Sequence, residues 1–136
     1  MSVQMTLSVA TKDRGAVEIT DLINAAISNT KQEFHLAHLF VEHTSASLMV
    51  TGNEDHDLLL DIEDYLQNIV TDANPDYRHN NEGDYDTSGH IRTLLTGESK
   101  SIPLKNKQLA LGKFQGVFLY EHRAGENTRK ITITLL

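Results

Sequence analysis

The segment 77–97, YRHNNEGDYDTSGHIRTLLTG, concentrates titratable side chains and has few apolar residues before its last turn. His79 and His90 lie eleven positions apart, with acidic residues between them. Imidazoles suit zinc and other borderline divalent metals, and carboxylates such as that of Glu82 widen the range of metals. Gly83 allows a tight turn and a close approach of the backbone to a ligand. The segment is therefore a candidate metal or ligand site, although a solvated polar loop would have the same composition.

A second polar group is the sequence EHTSAS, in which His43 precedes the hydroxyl side chains of Thr44 and Ser45. Hydroxyl groups beside an imidazole would bind an anionic oxygen through hydrogen bonds. His43 also lies near the end of a strand with a buried pattern. A core histidine with satisfied hydrogen bonds is an equally good explanation, so both interpretations stay open.

Three further groups lie at the ends of predicted elements. In FQGVFLYEH, strand alternation places Gln115 and Glu121 on one face, at the two ends of an apolar row. They would point into the rim of a pocket, or be solvated on an edge strand. Arg129 would bind a phosphate bidentately or pair with Glu121. Asn53 and Glu54 open a predicted helix, and they are the only members of its acidic run that we assign to function.

Hydrophobic periodicity predicts the elements that position these residues. Apolar residues in 51–70 recur at intervals of three and four, which is the strongest helix signal in the chain. Residues 72–90 are predicted to form a long polar loop, and loops of that length in compact domains are functional or disordered. Another helix is predicted at 17–30, and a short one within 90–97. Strands are predicted at 4–10, at 33–50 in two segments, at 113–122 and at 128–136. A hairpin that turns at KNK is predicted at 99–112. The mixture predicts one α+β domain over residues 1–136.

Composition excludes several classes of protein. The chain has no cysteine, which rules out disulfides and thiolate metal sites. Its formal net charge of −7 argues against general nucleic-acid binding, which needs basic patches. The N-terminus carries no basic leader with an apolar run, and no segment approaches the length of a membrane span. We therefore expect a cytoplasmic protein without a membrane or nucleic-acid partner.

The motifs HTSASL, NE, YRHNNEG, GHI, GESKSIP and LALGKFQGVFLYE, in this order, resemble those of the YjbQ family. Members of this family are small proteins also described as secondary thiamine-phosphate synthases. The match runs from about Phe34 to the C-terminus. The resemblance implies a sandwich of mixed β-sheets with two main helices, assembled as a homotrimer. It also implies that the polar motifs converge on one pocket at or near a subunit interface.

The resemblance further implies a divalent metal held by His43, His79 and His90, with zinc as the first choice and magnesium or manganese as alternatives. The implied activity joins a phosphorylated thiazole to a pyrimidine diphosphate and releases pyrophosphate, so the expected partner is a small phosphorylated metabolite. Glu82, Glu121 and Gln115 are the catalytic candidates in this scheme. The substrate-binding candidates are Thr44, Ser45, Asn53, Glu54, Gly83 and Arg129.

Two other functions fit the same residues. One is a binding module that holds a metabolite or a metal without turnover. The other is a structural role, in which the histidines pair with carboxylates to fix the long loop. One departure from the family pattern bears on the pocket, because Thr87 stands where the family often has methionine, and this leaves the choice of ligand open.

Overall fold

A computed structural model describes all residues from 1 to 136 and contains two antiparallel sheets and three helices. In chain order the elements are β1 (Val3–Thr11), β2 (Gly15–Glu18), α1 (Thr20–Ser28), β3 (Leu36–Val41), β4 (Ala46–Gly52), α2 (His56–Ile69), α3 (Asp86–Thr96), β5 (Ser99–Lys105), β6 (Gln108–Leu109), β7 (Gln115–Glu121) and β8 (Asn127–Leu135).

The larger sheet has the strand order β1-β8-β3-β5-β6. Its strand β8 alternates between buried and more exposed side chains, as expected for a sheet with one face on the core. Ile131 and Ile133 are completely buried and stand opposite Val41 and Leu39 of β3. This apolar face forms one wall of the core.

The smaller sheet has the order β2-β7-β4 and forms the opposite wall. Its central strand β7 is buried continuously from Gly116 to Glu121. A strand covered on both faces has such an uninterrupted pattern. The larger sheet and α1 supply apolar core partners, and α3 packs against β4 of the same sheet.

The α+β class and the two-sheet sandwich are confirmed, with three differences in detail. Both sheets are antiparallel throughout, not mixed, and α3 is a third substantial helix of 11 residues. α3 begins at Asp86, so residues 86–90 are helical and the predicted loop 72–90 is shorter than expected. The hairpin that turns at KNK is confirmed, and Asn106 and Lys107 at its turn have φ values of 53° and 59°.

The orientation of α3 explains why its start was missed. Its buried residues are polar or small, whereas Leu94 and Leu95 are 79% and 58% exposed. Periodicity analysis assumes that the apolar side of a helix faces the core. α3 reverses this pattern, and its first turn, Asp-Thr-Ser-Gly, also has low helix propensity. Tertiary contacts therefore decide where this helix begins.

The buried side of α3 is held by ion pairs. The Arg92 guanidinium is completely buried and donates two hydrogen bonds to Glu63 of α2, at 2.8 and 3.0 Å. The Tyr120 hydroxyl of β7 donates to the same carboxylate at 2.6 Å. A second bidentate pair joins Arg14 to Asp72, at 2.7 and 2.8 Å, and Ser88 of α3 donates to the same carboxylate. These bonds tie α3, α2 and the smaller sheet together.

We expect Glu63→Ala to lower the free energy of unfolding by about 3 kcal/mol, because it leaves the buried Arg92 charge without its partner. Glu63→Gln keeps a hydrogen-bond acceptor and should cost less. Urea unfolding at pH 7 measures both changes. The control is Asp64→Ala, which removes the neighbouring exposed carboxylate and should change the stability by no more than about 0.5 kcal/mol. A Glu63→Ala variant as stable as this control would show that the pair does not hold α3.

Candidate functional site

The polar residues converge at one end of the smaller sheet. β4 pairs with β7 so that Ala46 lies opposite Glu121. The His122 amide continues this ladder and donates to the Ser45 carbonyl at 3.1 Å. α3 approaches the same place closely, because a Cβ on Gly89 would lie only 3.3 Å from the Ser45 hydroxyl. Strand ends and helix start are thus brought within reach of one another.

The centre of the site is a cluster of His79, Asp86 and His90, whose possible ligand atoms all lie within 4.8 Å of one another. Asp86 and His90 are four residues apart on α3, so they share a helix face. Asp86 Oδ2 lies 2.6 Å from His79 Nε2 and 3.3 Å from His90 Nε2. Asp86 Oδ1 accepts a hydrogen bond from Arg123 at 2.5 Å.

The Asp86 carboxylate is 2% exposed and remains ionised. Burial opposes its ionisation, but the hydrogen bond from His79, the neighbouring His90 and the charge of Arg123 outweigh burial and hold the pKa of Asp86 below its usual range. Asp86 is also in the first turn of α3, where the helix dipole favours a negative charge.

The contacts of the other ring nitrogen of His90, Nδ1, determine which nitrogen carries the proton. His90 Nδ1 lies 2.9 Å from the Ser45 hydroxyl and 3.1 Å from the Thr44 carbonyl. A carbonyl oxygen only accepts, so Nδ1 carries the proton and donates. In the neutral ring the lone pair of Nε2 therefore faces the Asp86 carboxylate. The two atoms repel each other, and a proton or a metal ion held between them would remove that repulsion.

His43 lies outside this cluster. Its Nδ1 accepts a hydrogen bond from the Ser45 amide at 2.9 Å. Burial, together with the positive charges of Arg129 and Arg123, lowers the pKa of His43. The neutral ring must then hold its proton on Nε2, so neither nitrogen offers a lone pair to a metal. The donor set that the structure assembles has Asp86 where the family resemblance implies His43.

Glu121 and Arg129 bind each other. Arg129 donates to both carboxylate oxygens, at 2.7 and 2.8 Å, and Thr11 donates a third hydrogen bond at 2.7 Å. Burial raises the pKa of Glu121, but the hydrogen bonds from Arg129 and Thr11 outweigh it and lower the pKa below the usual range. Of the two roles considered for Arg129, phosphate binding and pairing with Glu121, the structure shows the pairing. Both side chains are nearly inaccessible to solvent, which leaves neither open to a ligand.

Glu82 and Gly83 lie beside the cluster on the loop before α3. Both are exposed, and they line a small hollow together with Arg123. Glu82 Oε2 is 3.9 Å from Arg123, while the Gly83 carbonyl accepts from the Asp86 amide at 3.3 Å. Gly83 has a φ of 102°, a conformation that favours glycine. The loop thus adopts a defined turn into α3.

Three predicted site residues lie at the opposite end of the smaller sheet. Gln115 begins β7 and is about 20 Å along the strand from Glu121, at the usual rise per residue. Its side chain accepts a hydrogen bond from the backbone of the same loop at 2.7 Å. Asn53 donates to Glu18 at 3.0 Å, and Glu54 is exposed nearby. A single chain does not bring these residues to the histidine cluster.

Asp86 and Arg123 belong to the site but were not predicted from the sequence. The signal for Asp86 was its spacing of four from His90, but this spacing carries meaning only when both residues are helical. The signal for Arg123 was its position just after Glu121, at the end of a predicted strand. Neither signal distinguishes a site residue from a solvated charge without the fold.

A cleft of about 670 Å³ opens beside the cluster, between the end of β3 and α3. His43 and His90 line it, and Phe40 and Leu94 contribute apolar walls. The remaining lining residues are Val41, Glu42, Thr44, Thr93 and Glu98. The volume is in the range of small-molecule sites.

Comparison with known sequences matches residues 5–136 to the model of a family described as UPF0047 protein YjbQ-like. The chain belongs to the YjbQ/UPF0047 family. UPF0047 protein YjbQ of Salmonella typhimurium is 38% identical over 133 residues, which cover 97% of this chain and 96% of that protein. UPF0047 protein sll1880 of Synechocystis sp. is 37% identical over 130 residues, which cover 96% and 88%.

Solved structures show the same YjbQ fold. A conserved hypothetical protein from Thermus thermophilus has a TM-score of 0.88 and 32% identity, covering 97% of this chain and 99% of its own. An uncharacterized YjbQ/UPF0047 protein from Clostridium acetobutylicum has a TM-score of 0.83 and 28% identity, covering 98% and 99%. No helix of this YjbQ domain combines the length and the apolar character that a membrane crossing requires. Family membership establishes the fold and leaves the reaction to be argued from the site.

Beneath the site, this YjbQ domain buries a neutral histidine. His122 is completely buried, and its Nε2 lies 2.9 Å from the Ser47 hydroxyl. Its ring also packs against Tyr120, with 4.5 Å between the ring centroids. Burial, with the charges of Arg92 and Arg14, lowers the pKa of His122 to about 3.

This histidine should make stability depend on pH in the acid range. Because the folded pKa of His122 lies below the unfolded value, the unfolded chain binds more protons between pH about 6.5 and 3. The contribution is complete above pH 6.5 and decreases as the pH falls, by about 2 kcal/mol at pH 5. Urea unfolding at pH 7 and pH 5 should show a smaller decrease for His122→Gln than for the natural chain. The exposed His35→Gln control should keep the natural decrease, and an equal decrease in both variants would contradict the assignment.

Proposed function

We propose that the chain binds a divalent metal, with zinc as the first choice, through His79, Asp86 and His90, and that it acts on a small phosphorylated metabolite. The observation that carries the proposal is the 3.3 Å separation of His90 Nε2 and Asp86 Oδ2, together with the Thr44 carbonyl 3.1 Å from the opposite ring nitrogen. A metal cation held by both atoms would remove the repulsion between them and use the tautomer that Thr44 and Ser45 impose.

The residues present fit such a metal. Two imidazoles and one carboxylate are a common donor set for catalytic zinc, with a further position open to a ligand. Two ligands at tetrahedral angles, each about 2.0–2.1 Å from zinc, lie about 3.3–3.4 Å apart, which agrees with the separation of His90 and Asp86. His79 Nε2 is at hydrogen-bond distance from Asp86, and its ring is about half exposed, so it has room to move.

The surroundings also fit a phosphorylated ligand. Arg123 orients Asp86 through Oδ1 and keeps about a third of its side chain exposed beside the cluster. Asp86 is bound by this guanidinium on one oxygen, which leaves Oδ2 directed at the two histidines. A bound metal would supply Lewis-acid neutralisation of phosphate charge. Formation of thiamine phosphate from a phosphorylated thiazole and a pyrimidine diphosphate is the first reaction to assay.

A binding module without turnover is the second candidate function. It is favoured by the ion pair of Glu121, whose lowered pKa makes this carboxylate a poor acid or base at neutral pH. Glu82 is mostly exposed, with 58% of its side chain accessible. If metal and phosphate bind tightly and no product forms with any metal, the binding module is the better description.

The test of the metal site is zinc binding by the untagged protein, measured by isothermal titration calorimetry. We expect one zinc per chain and an affinity at least about 100-fold weaker in Asp86→Asn and His90→Ala, since each removes a ligand. His56→Asn alters an exposed histidine at the start of α2 and serves as the control. Absence of binding by zinc, manganese and magnesium to the natural chain would refute the metal site, as would unchanged affinity in Asp86→Asn.

The proposal includes a homotrimer, in agreement with the family resemblance. Two observations support an assembly: the exposed leucines of α3, Leu94 and Leu95, and the separation of Asn53 and Gln115 from the histidine cluster. In a ring of identical subunits, different surfaces of neighbouring copies meet, so the two ends of the small sheet would come together across an interface.

Light scattering coupled to size-exclusion chromatography tests the assembly. We expect three chains per particle for the natural protein, and a lower mass for Leu95→Glu because a carboxylate would be buried in an apolar contact. Lys105→Glu changes an exposed charge on β5 and should leave the mass unchanged. A monomeric natural protein at micromolar concentration would contradict the trimer.

A further inference from the structure

Contacts with Thr44 and Ser45 give the two histidines of the cleft opposite tautomers. The Ser45 amide N–H donates to His43 Nδ1 at 2.9 Å, while the Ser45 hydroxyl lies 2.9 Å from His90 Nδ1. The Thr44 carbonyl, 3.1 Å from the same Nδ1, can only accept, so His90 directs a lone pair from Nε2 toward Asp86. His43, in contrast, carries its proton on Nε2.

The His43 ring is fixed in this neutral state by geometry. An imidazolium would place a second N–H on Nδ1, directed at the Ser45 amide N–H, and the two donors would repel each other. Arg129 and Arg123 add positive charge nearby and oppose a charged ring as well. The Nε2–H group is the remaining polar group of this side chain.

That group has no hydrogen-bond partner within the chain. His43 is half-buried and lines the cleft with His90, so it is neither a core histidine with satisfied bonds nor a fully solvated one. A half-buried donor with no protein partner is suited to bind an anionic oxygen of a ligand.

We propose that His43 is a neutral hydrogen-bond donor that binds a phosphoryl oxygen of the ligand through Nε2–H and does not ligate a metal. The choice of a phosphoryl group rests on the proposed function. The donor role itself rests on the Ser45 amide and on the position of the ring in the cleft.

The walls of the cleft indicate the rest of the ligand. Phe40 and Leu94 contribute apolar surface to the cleft that His43 lines, and Glu42 and Glu98 in the same lining disfavour a second anionic group. The ligand class is therefore a phosphate monoester with a compact apolar or aromatic body. Phenyl phosphate is a suitable probe, and it should bind more tightly than inorganic phosphate because the ring buries apolar surface.

The first experiment determines the histidine tautomers by two-bond ¹H–¹⁵N correlation NMR of the full chain at pH 7. We expect His43 as the Nε2–H tautomer and His90 as the Nδ1–H tautomer. Added zinc should shift the ring nitrogens of His90 and His79 and leave the tautomer of His43 unchanged. An Nδ1–H tautomer of His43, or zinc ligation by its ring, would overturn the proposal.

The second experiment titrates phenyl phosphate into variants of His43. His43→Asn removes the donor at the position of Nε2 and should weaken binding about 10- to 100-fold, as expected for a hydrogen bond to a charged group. His43→Gln places an amide N–H near that position and should weaken binding less than His43→Asn does. His38→Asn makes the same substitution on the exposed side of β3, where the ring bonds Ser101, and should change nothing.

The outcomes separate this inference from the metal site. Binding of phenyl phosphate that depends on His43 in the absence of zinc supports the donor role even if the metal site fails. Binding that requires zinc, with the same order of variants, supports both. No binding of phenyl phosphate with or without zinc, or equal binding by His43→Asn and His43→Gln, would overturn the role of His43.

Discussion

The polar packing of α3 against the smaller sheet is the constraint on which the rest of the site depends. Apolar contacts are not directional and allow a helix to rotate. α3 instead buries Arg92, and the bidentate bond to Glu63 is satisfied in one orientation of the helix only. Gly89 permits the close approach to Ser45 that this orientation requires. The same rotation leaves the leucines outside and presents Asp86 and His90 to the loop that carries His79.

Contacts with Thr44 and Ser45 then give His90 and His43 different tautomers and therefore different binding roles. The Thr44 carbonyl fixes the proton of His90 on Nδ1, and the Ser45 hydroxyl lies 2.9 Å from the same nitrogen. The Ser45 amide fixes the proton of His43 on Nε2. One ring thus offers a lone pair suited to a cation, and the other an N–H suited to an anion. A metal ion would bind the lone pair, and a phosphate oxygen would accept the N–H hydrogen bond.

The outline of the fold could be predicted because local patterns agree with it. The alternation in β8, the periodic apolar residues of α2 and the turn at Asn106 all favour the observed structure independently of the rest of the chain. The start of α3 could not be predicted, because its stabilising contacts come from residues distant in sequence. Asp86 was missed for this reason: its spacing from His90 has meaning only once residues 86–90 are known to be helical.

By itself the sequence determined the class of fold, the family and the region in which polar chemistry is concentrated. These depend on residue type and on spacing along the chain, which are local. The tertiary structure decided which side chains are free to bind a metal or a ligand. It paired Glu121 with Arg129, placed Gln115 and Asn53 at the far end of the sheet, and replaced His43 by Asp86 in the cluster. Whether a side chain is free depends on which neighbours in the folded chain already bond its donors and acceptors. The order of residues along the chain does not specify those neighbours.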